Sequence, residues 1–154
     1  MNDAVIFDFE SDFAGSLHCI PMAVRLKLDN VGVKVSLKQW NKLSREQRDE
    51  LLRRPAAPGP STDAYRRYLL EAIEQRTGGK AQDLTVESSP EWDDPDRIPA
   101  QVSEYFSAQG LAPLELSQWA QLPPLKRYVL IKLTRPGHRN ENFLPALREF
   151  GLLA

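Results

Sequence analysis

Two stretches of the chain follow one pattern, and that repetition constrains the fold more than any other feature. The stretch 20–51 aligns with 98–130 once a single residue is inserted after the glycine of the second stretch. Ten positions are then identical: Ile20/Ile98, Pro21/Pro99, Val24/Val102, Gly32/Gly110, Leu37/Leu116, Gln39/Gln118, Trp40/Trp119, Leu43/Leu122, Arg48/Arg127 and Leu51/Leu130. Thirty-two aligned pairs of average composition would share about two by chance. Arg54-Pro55 further matches Arg135-Pro136, and the run from Asp63 lies over the run from Glu141. The sequence therefore predicts two repeats, about 20–77 and 98–152, inside one domain spanning 1–154.

The shared letters have helical explanations. Pro21 and Pro99 suit the first turn of a helix, where a missing N–H costs nothing. Gly32 and Gly110 suit the left-handed position that ends one. Val24, Leu28 and Val31 fall on one helical stripe, echoed by Val102 and Phe106. Leu37, Trp40 and Leu43 have the spacing of a short helix. "SREQ" from Ser44 reads as a capping box that opens a helix stopped by Pro55. In the second copy "PP" at 123–124 starts "PLKRYVLIKL", where helix is favoured over strand despite strong β-propensity. A longer helix carries Tyr65, Leu69 and Ile73 and stops at Gly78. Its counterpart runs from about Asn142 to Phe150 and stops at Gly151.

Outside the repeats, "AVIFDF" has the character of a short N-terminal strand, followed by a helical start at Asp12. "PAAPGP" at 55–60 is a breaker-rich surface loop. The connector 80–97 carries six acidic residues and two prolines, with Trp92 as an anchor on the core.

Composition narrows the function classes. A chain that is 42% hydrophobic and 27% charged is a globular protein with a real core. No apolar run reaches the roughly 18 residues of a membrane span. The acidic start lacks the basic, apolar and small-residue order of a secretory signal, and the single Cys19 suits a reducing compartment. A cytoplasmic protein is expected. With 20 basic and 21 acidic residues, the chain has no electrostatic bias towards nucleic acid or an anionic membrane.

Few residues are of chemically active types. His18, Cys19 and His138 are too few for a zinc, iron–sulfur or haem site, so neither metal nor cofactor is expected. "RTGGK" at 76–80 has no preceding strand and reads as a helix stop, not a phosphate loop. Cys19 between Leu17 and Ile20 is expected to be buried and inert. The strongest candidate binding surface is "TRPGHRN" at 134–140, where Arg135, His138 and Arg139 gather just before the last helix. Its structural alternative has Arg135 capping the carbonyls of the helix before it. An enzymatic or anion-binding reading would use Cys19, Arg135 and His138 together.

The blocks "FDFESDF", "LHCIPMAVRLKLD", "LSQWAQLPPLKRYVLIKL" and "RPGHRNENFLPALREFGL" resemble the nitrate reductase-associated protein family over nearly the whole chain. The matching positions are Cys19 to Met22, Trp119, Leu133, Arg135 to His138, and Asn142 to Pro145. The residue before Cys19, where a basic side chain is expected, is His18. The resemblance implies a link to assimilatory nitrate reductase, through physical contact or through shared regulation. The function expected is that of a non-enzymatic accessory or interaction protein linked to nitrate assimilation, with nitrate reductase as its partner. The expected fold is all-α, two similar helical repeats packed about a pseudo-twofold axis.

Overall fold

The computed structural model describes residues 4–135 and 140–153. The chain is predominantly helical and divides into two compact units, Met1–Glu87 and Ser88–Ala154. The boundary falls inside the acidic connector. Among the described residues no helix is long and apolar enough to cross a membrane.

The first unit begins with a 3-10 turn, Asp8–Glu10, that runs into α1 (Ser11–Ala14). No strand forms over "AVIFDF", and the cause is Glu10. Its Oε2 accepts the Phe7 N–H at 3.0 Å, while the Glu10 N–H donates to the Phe7 carbonyl at 3.1 Å. Both backbone groups of Phe7 are thereby engaged within the turn. The other oxygen, Oε1, accepts the Met22 N–H at 3.0 Å, at the start of α2 (Met22–Val31). A carboxylate there satisfies one orphan donor and complements the helix dipole. Pro21 is the N-cap of α2 and Pro99 the N-cap of its counterpart in the second unit, one position earlier than expected.

Gly32 ends α2 with φ +74 and leads into β1 (Val33–Lys34). Then follow α3 (Leu37–Lys42), α4 (Arg45–Arg53), α5 (Pro60–Thr77) and β2 (Gln82–Asp83). The two strands pair antiparallel, Val33 opposite Asp83 and Lys34 opposite Gln82, a small departure from an all-α chain. The capping box at Ser44 is present, with Gln47 N–H on Ser44 Oγ at 3.1 Å and Ser44 N–H on Gln47 Oε1 at 2.9 Å. The long α5 packs against α2, α3 and α4 and buries Tyr65, Leu69, Ala72 and Ile73 among them. Gly78 ends it in the left-handed region, as its place in the sequence predicts.

The second unit opens with a 3-10 turn, Glu91–Asp93, followed by α6 (Ala100–Ala108), α7 (Leu116–Gln121), α8 (Pro124–Leu133) and α9 (Phe143–Glu149). Helix wins over strand at α8 because Leu125, Val129 and Leu133, four apart, all face the interior beside Tyr128 and Leu130. Trp92 is half-buried and meets Tyr128 edge to face, ring centroids 5.0 Å apart. Phe143 of α9 takes the same geometry with Tyr105 and Phe106 of α6.

Some of the residues paired in the sequence have similar surroundings in their own units, and others do not. Trp40 and Trp119 are both fully buried, and each indole N–H donates at 2.8 Å to a backbone carbonyl upstream, that of Leu17 or of Asp94. Leu37 and Leu116 are each about half exposed, at the first residue of a six-residue helix.

The two glycines differ in what surrounds them. A Cβ on Gly32 would lie 2.8 Å from Val86 Cγ2 and 2.9 Å from the Leu84 carbonyl oxygen, whereas one on Gly110 would meet nothing within 4 Å. Gly110→Ala is expected to cost about 1–2 kcal/mol, the left-handed penalty alone. Gly32→Ala should cost about 3 kcal/mol, since crowding adds to that penalty. Urea unfolding of the two variants checks the ranking, and equal losses would show that the Leu84–Val86 backbone yields freely.

Candidate functional site

Arg135 follows the end of α8 and is exposed. Among the described residues it makes no hydrogen bond or ion pair, so the helix-capping role considered from sequence is not its own. The last carbonyls of α8 are held instead by Thr134, whose Oγ1 donates to the Leu130 oxygen at 2.7 Å, and by Gln101, whose Nε2 reaches the Ile131 oxygen at 2.7 Å. Arg54, the arginine of the matching Arg-Pro pair, is engaged differently. Its Nε bonds Glu50 Oε1 at 2.8 Å, and its guanidinium lies 4.2 Å from the Tyr68 ring centroid. Burial, and then the neighbouring Glu50, push the Tyr68 phenol above its ordinary range. His138 and Arg139 lie outside the described residues. The chain resumes at Asn140, whose N–H donates to Tyr105 Oη at 3.4 Å and whose side chain accepts the Asn142 N–H at 3.0 Å.

Cys19 belongs to the first unit, between α1 and α2. It is half-buried where the sequence led us to expect burial, and His18 beside it is exposed. The cause is the turn at Leu17, whose φ of +62 directs its side chain into the core. The Leu17 carbonyl accepts both Trp40 Nε1 and, at 2.9 Å, Arg48 Nη1. The next two residues therefore pass along the surface before Ile20 turns in again. Among the described residues no three histidine, cysteine or acidic side chains gather as a metal site.

One concave feature escaped the sequence reading. In the first unit β1, the start of α3 and the segment 80–82 surround an open pocket of about 520 Å³, lined by Lys34, Ser36, Gln39, Lys80, Ala81 and Gln82. Its frame is a second capping box. Gln39 N–H donates to Ser36 Oγ at 3.1 Å and Ser36 N–H to Gln39 Oε1 at 3.0 Å. Gln39 Nε2 then reaches across to the Lys80 carbonyl at 3.4 Å. The sequence signal was there in "SLKQ", but nothing local brings Lys80 to it. A second open pocket, about 480 Å³, lies among Glu46, Asp49, Glu50, Arg53, Arg54 and Tyr68. Both of its arginines are ion-paired, Arg53 with Asp49 at 3.0 Å and Arg54 with Glu50 at 2.8 Å.

The matched arginines of the two copies also part company. Arg48 donates three hydrogen bonds, Nε and Nη2 to the Leu43 carbonyl and Nη1 to that of Leu17. Arg127 is buried, 6% exposed, with neither Nε nor Nη1 hydrogen-bonded, its guanidinium carbon 6.0 Å from the Trp119 ring centroid.

A family described as conserved nitrate reductase-associated protein has a model that matches residues 6–150 of this chain. No curated protein and no solved structure matches it significantly.

Proposed function

Because the chain belongs to the conserved nitrate reductase-associated protein family, we propose that it serves nitrate assimilation as a non-enzymatic accessory protein that contacts nitrate reductase in the cytoplasm. The observation that carries this reading is the extent of the match. It runs from residue 6 to residue 150 and so takes in both compact units. Family membership is therefore carried by both units.

In this reading Arg135, His138 and Arg139 are the residues that would select an acidic surface of the enzyme. Arg135 supports it: an exposed guanidinium with no internal partner among the described residues is free to bind outward. Cys19 is a poorer candidate for such a role, since half of it is covered.

Capture of nitrate reductase from nitrate-grown cells by the tagged chain is the test. Arg135→Glu, His138→Glu and Arg139→Glu should each weaken capture several-fold. Arg135→Glu should also move stability by less than about 0.5 kcal/mol, because the residue is exposed and caps nothing. Raising salt should weaken capture by the parent more than by the reversed variants, as expected of rim charges. A parent chain that captures no nitrate reductase would remove the contact reading altogether.

A further inference from the structure

We propose that the open pocket of the first unit, between β1, the start of α3 and residues 80–82, docks an acidic segment of a partner protein. Charge complementarity carries the inference. The stretches 33–42 and 76–82 contain Lys34, Lys38, Lys42, Arg76 and Lys80 and not one carboxylate, in a chain whose net charge is −1. Lys34 and Lys80 line the pocket, and neither they nor Lys38 and Lys42 form an ion pair among the described residues. The carboxylate next in sequence, Asp83, is held by Arg66 at 2.8 Å. The pocket thus has cations without counter-charges, whereas both arginines of the pocket around Glu50 are ion-paired.

The fold does not require these lysines. In the second copy their positions are taken by Pro113, Ser117 and Gln121. The matching helix α7 still forms there, with Gln118 accepting the Glu115 N–H and Trp119 fully buried. What the two copies share is the scaffold, and the lysines are what the first adds to it.

The class of partner follows from the surroundings. Leu37, 50% exposed, opens α3 directly after the pocket residue Ser36. An aliphatic contact next to cations fits a peptide that mixes carboxylates with an apolar residue. A polynucleotide would gain nothing from the leucine and would meet the chain's 21 acidic residues beyond the patch. The inference does not depend on who the partner is, so it stands or falls separately from contact with nitrate reductase.

The test is fluorescence anisotropy of the full chain with a labelled peptide of about ten residues, Glu and Asp around a single Leu. The parent should bind it. The double variant Lys34→Glu/Lys80→Glu should lose at least tenfold in affinity, and the neutral Lys34→Gln/Lys80→Gln pair an intermediate amount. Leu37→Ser should lose several-fold. A control with the same charge change elsewhere, Arg97→Glu/Arg148→Glu, should stay within twofold of the parent. Four results would overturn the proposal: no binding by the parent, equal losses in the control, equally tight binding of a labelled oligothymidylate, or full displacement of the peptide by millimolar inorganic phosphate. The last two would assign the pocket to nucleic acid or to a small anion.

Discussion

Trp119→Ala is expected to destabilise the chain by about 3–5 kcal/mol, and Trp40→Ala by a similar amount. Each indole has no exposed surface, so truncation removes its apolar contacts and leaves a cavity where the core meets α7 or α3. Each also strands an acceptor. The Asp94 carbonyl loses the Trp119 N–H, and the Leu17 carbonyl loses that of Trp40 while keeping Arg48. Trp→Phe at either site separates the two contributions. It retains most of the volume and should cost about 1–2 kcal/mol, the larger part from the lost hydrogen bond. Urea unfolding followed by circular dichroism measures all four variants. Alanine variants as stable as the parent would mean that the tryptophans do not close the cores they occupy.

The matched arginines should respond in opposite ways to the same substitution. Arg48→Met is expected to cost about 2–3 kcal/mol, because it removes three charge-assisted hydrogen bonds and leaves the Leu43 carbonyl without either of its side-chain donors. Arg127→Met should be neutral or stabilise by up to about 2 kcal/mol. Burial lowers the Arg127 pKa against the opposing pull of Asp93 and Asp94, so folding already works against its charged form. Methionine keeps the length and the contact with Trp119 without a cation whose Nε and Nη1 go unpaired. Equal losses at both positions would show that Arg127 is satisfied by a partner that its geometry does not reveal.

Much of the helical framework was legible in adjacent letters. Gly32 and Gly78 stop helices at φ +74 and +71, and Ser44 and Gln47 form the expected box, whereas Pro60, read as the end of a loop, is the first residue of α5. The burial of Trp40 and Trp119 could also be read in advance, since a repeated Trp within a repeated apolar stripe has few other places to go. The helix ends and the capping box depend on backbone conformations and hydrogen bonds that span four residues or fewer, so the residues that decide them stand side by side. Family membership was legible for a different reason, as the matching blocks extend over nearly the whole chain.

Other features depended on groups far apart in sequence. Glu10 turned a strand-like segment into a 3-10 turn because its carboxylate meets the Met22 N–H twelve residues on. β1 exists because Val33 meets Asp83, and the lysine-lined pocket exists because Lys80 arrives beside Ser36 and Gln39. Arg48 and Arg127 are the same letter in the same local pattern, yet one makes three hydrogen bonds to two carbonyls and the other is buried with Nε and Nη1 unpaired. Local pattern sets what a backbone can do cheaply. Which acceptor, strand or charge a side chain finally meets is set by closing loops of tens of residues, whose entropy is repaid only by the assembled core.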